Sequence, residues 1–298
     1  MRKNLILILI STILSLALVE VGLRITDPLG VDDSLTTLRR MSAAAVADER
    51  GWALPPGRHN FGHWQATVDD DRHRVLPDAN DGDCTIAFVG DSVTFGYGVG
   101  DSAAWVNLLA AEFDATFINA AVPGYNYDQI EATFNTREAD GYVYLMIVND
   151  ASTYVVLDFQ FIEGAPPPPR GIRPFVQNRL LRATYSYVTY WRFQRSRPLR
   201  TVNVQVAPAE IDAASMQPFF EQLEPAITRD DVLVFGFDDT WLSQMTHEQF
   251  PQMVLIPRFT NPISVSDTHP DATGNIEIAD AVRGPLTELV TRVCDSGA

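Results

Sequence analysis

The hydrophobic positions fall into two regimes along the chain. Up to residue 25 they form one nearly continuous run. Leu5 to Val19 is interrupted only by Ser11, Thr12 and Ser15, and Val21, Gly22, Leu23 and Ile25 extend it beyond Glu20. A helix over residues 4–25 has no polar face and spans roughly 33 Å, enough to cross a hydrocarbon core of about 30 Å. From residue 84 the pattern changes to short apolar runs alternating with stretches of helical spacing. Cys84 to Val89, Thr116 to Asn119, Tyr142 to Val148 and Val232 to Phe237 read as buried strands. Met253 to Pro257 is a further apolar run. Between them lie predicted helices: one capped by Asp101 or Ser102 with Trp105, Leu108, Leu109 and Phe113 on one face, then Tyr127 to Arg137, Met216 to Ile227 and Gly274 to Val293. Strands alternating with helices predict a parallel sheet covered on both faces, an α/β architecture.

This pattern divides the chain into a leader over 1–25, a stalk and irregular segment over 26–80, and an α/β domain over 81–298. Arg2 and Lys3 ahead of the apolar run place that end in the cytoplasm and the rest beyond the membrane. An uncleaved signal anchor is the preferred reading, because the run continues past Ser15-Leu16-Ala17. Cleavage there would instead release a secreted, periplasmic or extracellular, protein. Pro28, Pro55, Pro56 and Pro77 punctuate the second segment, and Asp69-Asp70-Asp71 reads as a solvated turn.

Residues 151–200 interrupt the alternation as an insertion. Pro166 to Pro169 form a stiff extended run. From residue 170 to 200 arginines such as Arg170, Arg182 and Arg200 interleave with aromatics such as Tyr185, Tyr190 and Trp191, and no acidic residue occurs. Two readings stand side by side: a surface for an anionic membrane or substrate, or an amphipathic helix paired with acidic neighbours.

Charge and cysteine content narrow the function. The 298 residues carry a net charge of −16, which argues against a nucleic-acid partner. The two cysteines, Cys84 and Cys294, are too few for a zinc site and are either two thiols or one disulfide. His59, His63 and His73 stand near the aspartate run, but Gly62 and the nearby prolines disrupt helical ligand spacing, so no metal is expected.

Four short motifs carry candidate chemistry. Phe88-Val89-Gly90-Asp91-Ser92 ends a buried strand in Gly-Asp-Ser, at the rim where open α/β sheets bind ligands. Asn119 to Asn126, containing Pro123-Gly124, follows the second strand, and Val148-Asn149-Asp150 follows the third. The Gly124 N–H and the Asn149 amide are suitable donors to an oxyanion. Ser266-Asp267-Thr268-His269-Pro270 precedes the last helix and offers His269 as a base, with Asp267 to orient it. Gly96-Tyr97-Gly98-Val99-Gly100 is not a dinucleotide loop, because Asp101 stands where the last glycine is needed. A Gly-x-Ser-x-Gly elbow is also absent, since Thr94 fills its last place.

In order and separation these four segments resemble the blocks of the SGNH (GDSL) hydrolase family, over roughly residues 84–160 and 230–293. With the leader and Gly51-Trp52, the chain is similar to membrane-anchored bacterial members. The resemblance implies a flavodoxin-like three-layer α/β/α sandwich. It also implies Ser92 as nucleophile, His269 as base and Asp267 as its acidic partner. The Ser92 N–H, the Gly124 N–H and the Asn149 side chain become the oxyanion hole. Ile147 stands where the third block usually has glycine, and Ser266 where the last block usually has aspartate. The activity implied is a cofactor-free serine esterase on a carbohydrate or lipid O-acyl ester. The alternatives are an O-acyltransferase acting on an envelope glycan with the same residues, and a catalytically inactive glycan-binding envelope protein. In the implied fold the last helix runs antiparallel to the strands. If it neighbours the first strand, Cys294 meets Cys84 and the two can pair in an oxidising compartment.

Overall fold

The structure is a computed structural model that describes residues 2–27, 30–153, 211–264 and 267–295. The basic aromatic segment 170–200 and Ser266 lie outside them. Residues 2–36 and the turn 264–267 group apart from a larger compact unit that holds most of the other described residues.

In the smaller unit, helix α1 (Arg2–Thr26) presents its apolar side chains to the outside, from Ile6 at 57% to Ile25 at 79% exposed. Its stretch Ile6–Thr26 is long and apolar enough to cross a membrane. Glu20, the one acid in the run, accepts a hydrogen bond from Arg24 one turn later at 2.9 Å.

The larger unit is built on five parallel strands: β5 (Thr85–Val89), β6 (Thr116–Asn119), β7 (Gly141–Met146), β8 (Val232–Phe237) and β9 (Val254–Ile256). Their order is β6-β5-β7-β8-β9, the flavodoxin-like arrangement, with the order reversing between β5 and β7. Alternate residues of each strand face opposite layers. Ala87, Val89, Tyr144 and Val234 pack with helices α5 (Tyr127–Thr136), α6 (Ala213–Ile227) and α7 (Trp241–Gln249). Ile86, Phe88, Val143 and Phe235 pack with α4 (Trp105–Ala110) and α8 (Ala272–Cys294). The result is a three-layer sandwich. Helix α7 escapes the sequence pattern because it is short, although Thr240 caps it by accepting from the Ser243 N–H. Cys84 and Cys294 form a disulfide, with Cα atoms 5.6 Å apart, joining the end of α8 to the start of β5.

The segment 26–80 is not a stalk with irregular structure throughout. Helix α2 (Val31–Ala44) is followed by two hairpins, β1 (Val46–Asp48) with β2 (Gly51–Ala53), and β3 (Gly57–Asn60) with β4 (Gln65–Val68). Met41, Leu54, Phe61, Trp64 and Val68 bury themselves with Phe95, Tyr97 and Ala121 in a third core. The physical reason is that large apolar residues here are sparse but converge, which a one-dimensional period does not reveal. Arg74 then bridges β4 to Asn119 at the end of β6. Residues 41–74 therefore form a wall against the carboxyl edge of the sheet.

Candidate active site

Three of the sequence motifs leave the sheet at its carboxyl edge, around the reversal between β5 and β7. Gly90 turns the chain at the end of β5 with φ +148°, where a Cβ would collide with Thr94 Oγ1. Asp91 then caps the short helix α3 (Ser92–Phe95), its Oδ1 accepting from the Val93 N–H at 3.0 Å. Ser92 is thus set at the first position of α3, 8% exposed.

His269 comes from much later in the chain, just ahead of α8. The Ile263 N–H donates to the His269 carbonyl at 2.8 Å, and the Asp271 N–H to the Asn261 carbonyl at 2.9 Å. With a bridge between Pro262 and Pro270, these bonds pinch off a loop at the start of α8. The imidazole Nε2 lies 2.8 Å from Ser92 Oγ, although the two residues are 177 apart in sequence. The Tyr97 ring stacks on the imidazole with centroids 4.2 Å apart and planes at 27°.

Besides capping α3, Asp91 touches the serine and Asn149. Its Oδ2 is 3.0 Å from Ser92 Oγ and accepts from Asn149 Nδ2 at 3.0 Å. The serine hydroxyl has one proton and two neighbours, Asp91 Oδ2 and His269 Nε2. Complete burial raises the Asp91 pKa, opposed by hydrogen bonds from the Val93 N–H and the Asn149 amide.

Asn149 lies in the 3-10 turn Val148–Thr153 after β7. It is not an idle donor. Its Nδ2 group reaches both Asp91 Oδ2 and, at 3.4 Å, the Tyr125 carbonyl. Gly124 is exposed, with φ +87° and the Trp52 ring against it. No hydrogen bond runs from the N–H of Ser92 or Gly124 to another described residue. Asp267 is buried, 7% exposed, in a turn where its N–H donates to Ser264 Oγ at 3.1 Å. His59 Nε2 bonds the Pro55 carbonyl and His73 Nδ1 is 3.8 Å from Asp69 Oδ2.

A second buried acid supports the edge from below. Asp150 Oδ2 accepts from Tyr144 Oη at 2.7 Å and from the Ile147 N–H at 2.8 Å, while Oδ1 has no partner among the described residues. Burial raises its pKa well above the usual carboxylate range, and the charge of Asp91 adds to this. A carboxyl with a raised folded-state pKa contributes most below the unfolded value and loses that contribution as pH rises through the folded one. Relative to Asp150→Asn, the native protein is therefore expected to lose stability as pH rises from about 4. The slope is about 1.4 kcal/mol per pH unit until the folded pKa is passed. Urea unfolding of both proteins across that range measures the gap, and a gap independent of pH would contradict the raised value.

Sequence reasoning missed Tyr97 and the double contact of Asp91. The signal was adjacent, since Tyr97 lies five residues beyond Ser92 in a glycine-flanked loop.

Fold and site together define a flavodoxin-like α/β sandwich with a serine–histidine pair at the carboxyl edge of its sheet. No protein-family model matches the sequence, and no curated protein matches it. Among solved structures, the chain is similar to a member of the lipolytic G-D-S-L family from Veillonella parvula. That pair shares 14% identity over 68% of this chain and 98% of the other, with a TM-score of 0.37. It is also similar to the psychrotrophic esterase EstA from Pseudoalteromonas sp., at 13% identity over 69% and 100% of the two chains and a TM-score of 0.32. A catalytic mutant of an acetylxylan esterase from Geobacillus stearothermophilus matches at 12% identity over 68% and 94%, with a TM-score of 0.34.

Proposed function

We propose that the protein is a serine esterase acting on O-acyl esters of a carbohydrate or lipid. The observation that carries this reading is the 2.8 Å contact between Ser92 Oγ and His269 Nε2. A serine hydroxyl is a weak nucleophile until a base takes its proton, and an imidazole at this distance is within reach to do so. In the proposed reaction Ser92 Oγ bonds to the ester carbonyl carbon as its proton passes to His269. The imidazolium returns that proton to the departing alcohol, and an acyl-enzyme remains. Water, deprotonated by His269, then releases the acid and restores Ser92. Asp267 is assigned the role of holding the imidazole tautomer.

The Ser92 and Gly124 N–H groups and the Asn149 amide are assigned to the developing oxyanion. The first two are supported by their lack of another acceptor among the described residues. Asn149→Ala is expected to lower kcat about 100- to 1,000-fold with a smaller change in KM, measured on a short-chain aryl ester.

The apolar α1 and the disulfide support display of the catalytic unit outside the cytoplasm, since disulfides persist in oxidising compartments. Whether α1 stays as an anchor or is removed as a signal is decided by the mass of the mature protein.

The direct test is a serine-reactive phosphonate, with ester turnover followed in parallel. Wild type should turn over ester and gain one phosphonyl group at Ser92, while Ser92→Ala does neither. A wild type that is inert to both would sink the esterase reading. Products measured with and without a glycan acceptor separate hydrolysis from acyl transfer.

A further inference from the structure

We propose that Tyr97 is a positioning residue for the base: its ring face fixes the His269 imidazole for Ser92 and stabilises the imidazolium formed in the reaction. This rests on the reading of Ser92 and His269 as the acyl-transfer pair. The stacking itself is direct, at 4.2 Å between centroids and 27° between planes. An aromatic face carries negative quadrupole density, so it attracts the imidazole more strongly once the ring has gained a proton. That gain arises on the way to the transition state and is nearly absent in the ground state, so it acts on turnover rather than on binding.

Ring packing, a backbone bond and flanking glycines together hold the tyrosine in place. Tyr97 is 4% exposed, and the Trp64 ring packs against it at 5.3 Å. Its N–H donates to the Ser92 carbonyl at 2.9 Å, which ties the stacking residue to the nucleophile's own turn. On either side, Gly96 and Gly98 take φ of +78° and +89°, a left-handed backbone that places the ring between them. The Ile263 side chain occupies the space where a Cβ on Gly98 would stand. The same Ile263 donates its N–H to the His269 carbonyl, so one residue braces both stacked partners.

A single buried guanidinium completes the brace. Arg74 donates through Nη1 to the carbonyls of Phe95 and Gly96 at 2.5 Å each, and through Nη2 to Val99 at 2.6 Å. Its Nε meets Asp101 Oδ1 at 3.2 Å, and that carboxylate also accepts from the Thr67 N–H. Burying a cation costs free energy unless its donors are satisfied. Here three carbonyls and a carboxylate satisfy them, all within residues 95–101. The 26–80 segment thus contributes to the site through Arg74 and Trp64, which clamp the loop and ring behind the base.

The experiment replaces Tyr97 with Leu, with Phe, and with the 4-fluoro and pentafluoro derivatives of phenylalanine. Fluorination drains the ring face while nearly preserving its shape. Tyr97→Phe should retain kcat within about twofold. Tyr97→Leu should lower kcat about tenfold at nearly constant KM, in line with a partly desolvated cation–π contact. Along the fluorinated series kcat should fall stepwise, and the rate of phosphonate labelling at Ser92 should fall with it. If Tyr97→Leu does not fold, the fluorinated series decides alone. A flat series, with wild type labelling normally, overturns the role of Tyr97. Failure of wild type itself to label removes the esterase reading instead, so the two outcomes remain distinct.

Discussion

Ser92→Ala is expected to lower kcat for ester turnover by about 10⁴- to 10⁶-fold, a loss of about 5.5–8 kcal/mol in transition-state stabilisation. His269→Gln should lose nearly as much, and the double variant little more than either. The reason is geometric. With Oγ and Nε2 2.8 Å apart, the proposed attack requires the imidazole to take the hydroxyl proton, so neither group should retain its contribution alone. Independent groups would instead give losses that multiply, and a double variant far below both single ones would contradict a shared proton transfer. KM should change little, because neither side chain is required to hold the ground-state ester. Thermal unfolding of the variants supplies the control: Ser92 Oγ and His269 Nε2 lie at the edge of the sheet rather than in either helix-covered core. The activity that survives would report what Asn149 and the backbone donors achieve by themselves.

The middle of the sheet is legible in the sequence because its inner strands are short runs buried on both sides. Tyr142 to Met146 and Val232 to Phe237 leave no polar face to misread. Ser92, Gly124 and Asn149 are legible for a related reason, since each directly follows such a run and must emerge at the same edge. His269 belongs with them only through its motif, because what pins it there is a pair of backbone bonds, from Ile263 and to Asn261. The clamp behind the site is hidden for the same reason. Arg74 sits in a polar stretch and is satisfied by the carbonyls of Phe95, Gly96 and Val99, groups every residue carries and no sequence pattern marks. The β3 strand, Gly57-Arg58-His59-Asn60, has no apolar alternation and reads as loop. Asp91 is visible as a residue, but its contact with Asn149 joins two loops 58 residues apart and requires the parallel pairing of β5 with β7 to exist. Local composition therefore reveals the layers and the place of Ser92 at the strand end, while the parts that depend on backbone carbonyls and on chain return emerge only in three dimensions.

The disulfide separates stability from chemistry and gives the second large effect. Cys84 precedes β5 and Ser92 follows it, so the bond and the proposed nucleophile lie at opposite ends of the same strand. Helix α8 repeats the arrangement, with Cys294 at its far end and His269 just before its start. Breaking the bond frees a loop of 210 residues in the unfolded chain. By loop-closure entropy, Cys294→Ser is expected to reduce the unfolding free energy by about 5 kcal/mol. The kcat of the protein that remains folded at 25 °C should change little, because α8 is also held by Ile278, Val282, Leu286 and Leu289 in the core beneath the sheet. Chemical denaturation with and without reductant measures the first effect, and turnover normalised to phosphonate-titrated sites measures the second. Equal unfolding midpoints in both conditions would mean that the bond contributes nothing to the folded state. A fall in per-site kcat, by contrast, would mean that strain at the amino end of β5 reaches its carboxyl end, and that the bond also sets the approach of His269 to Ser92.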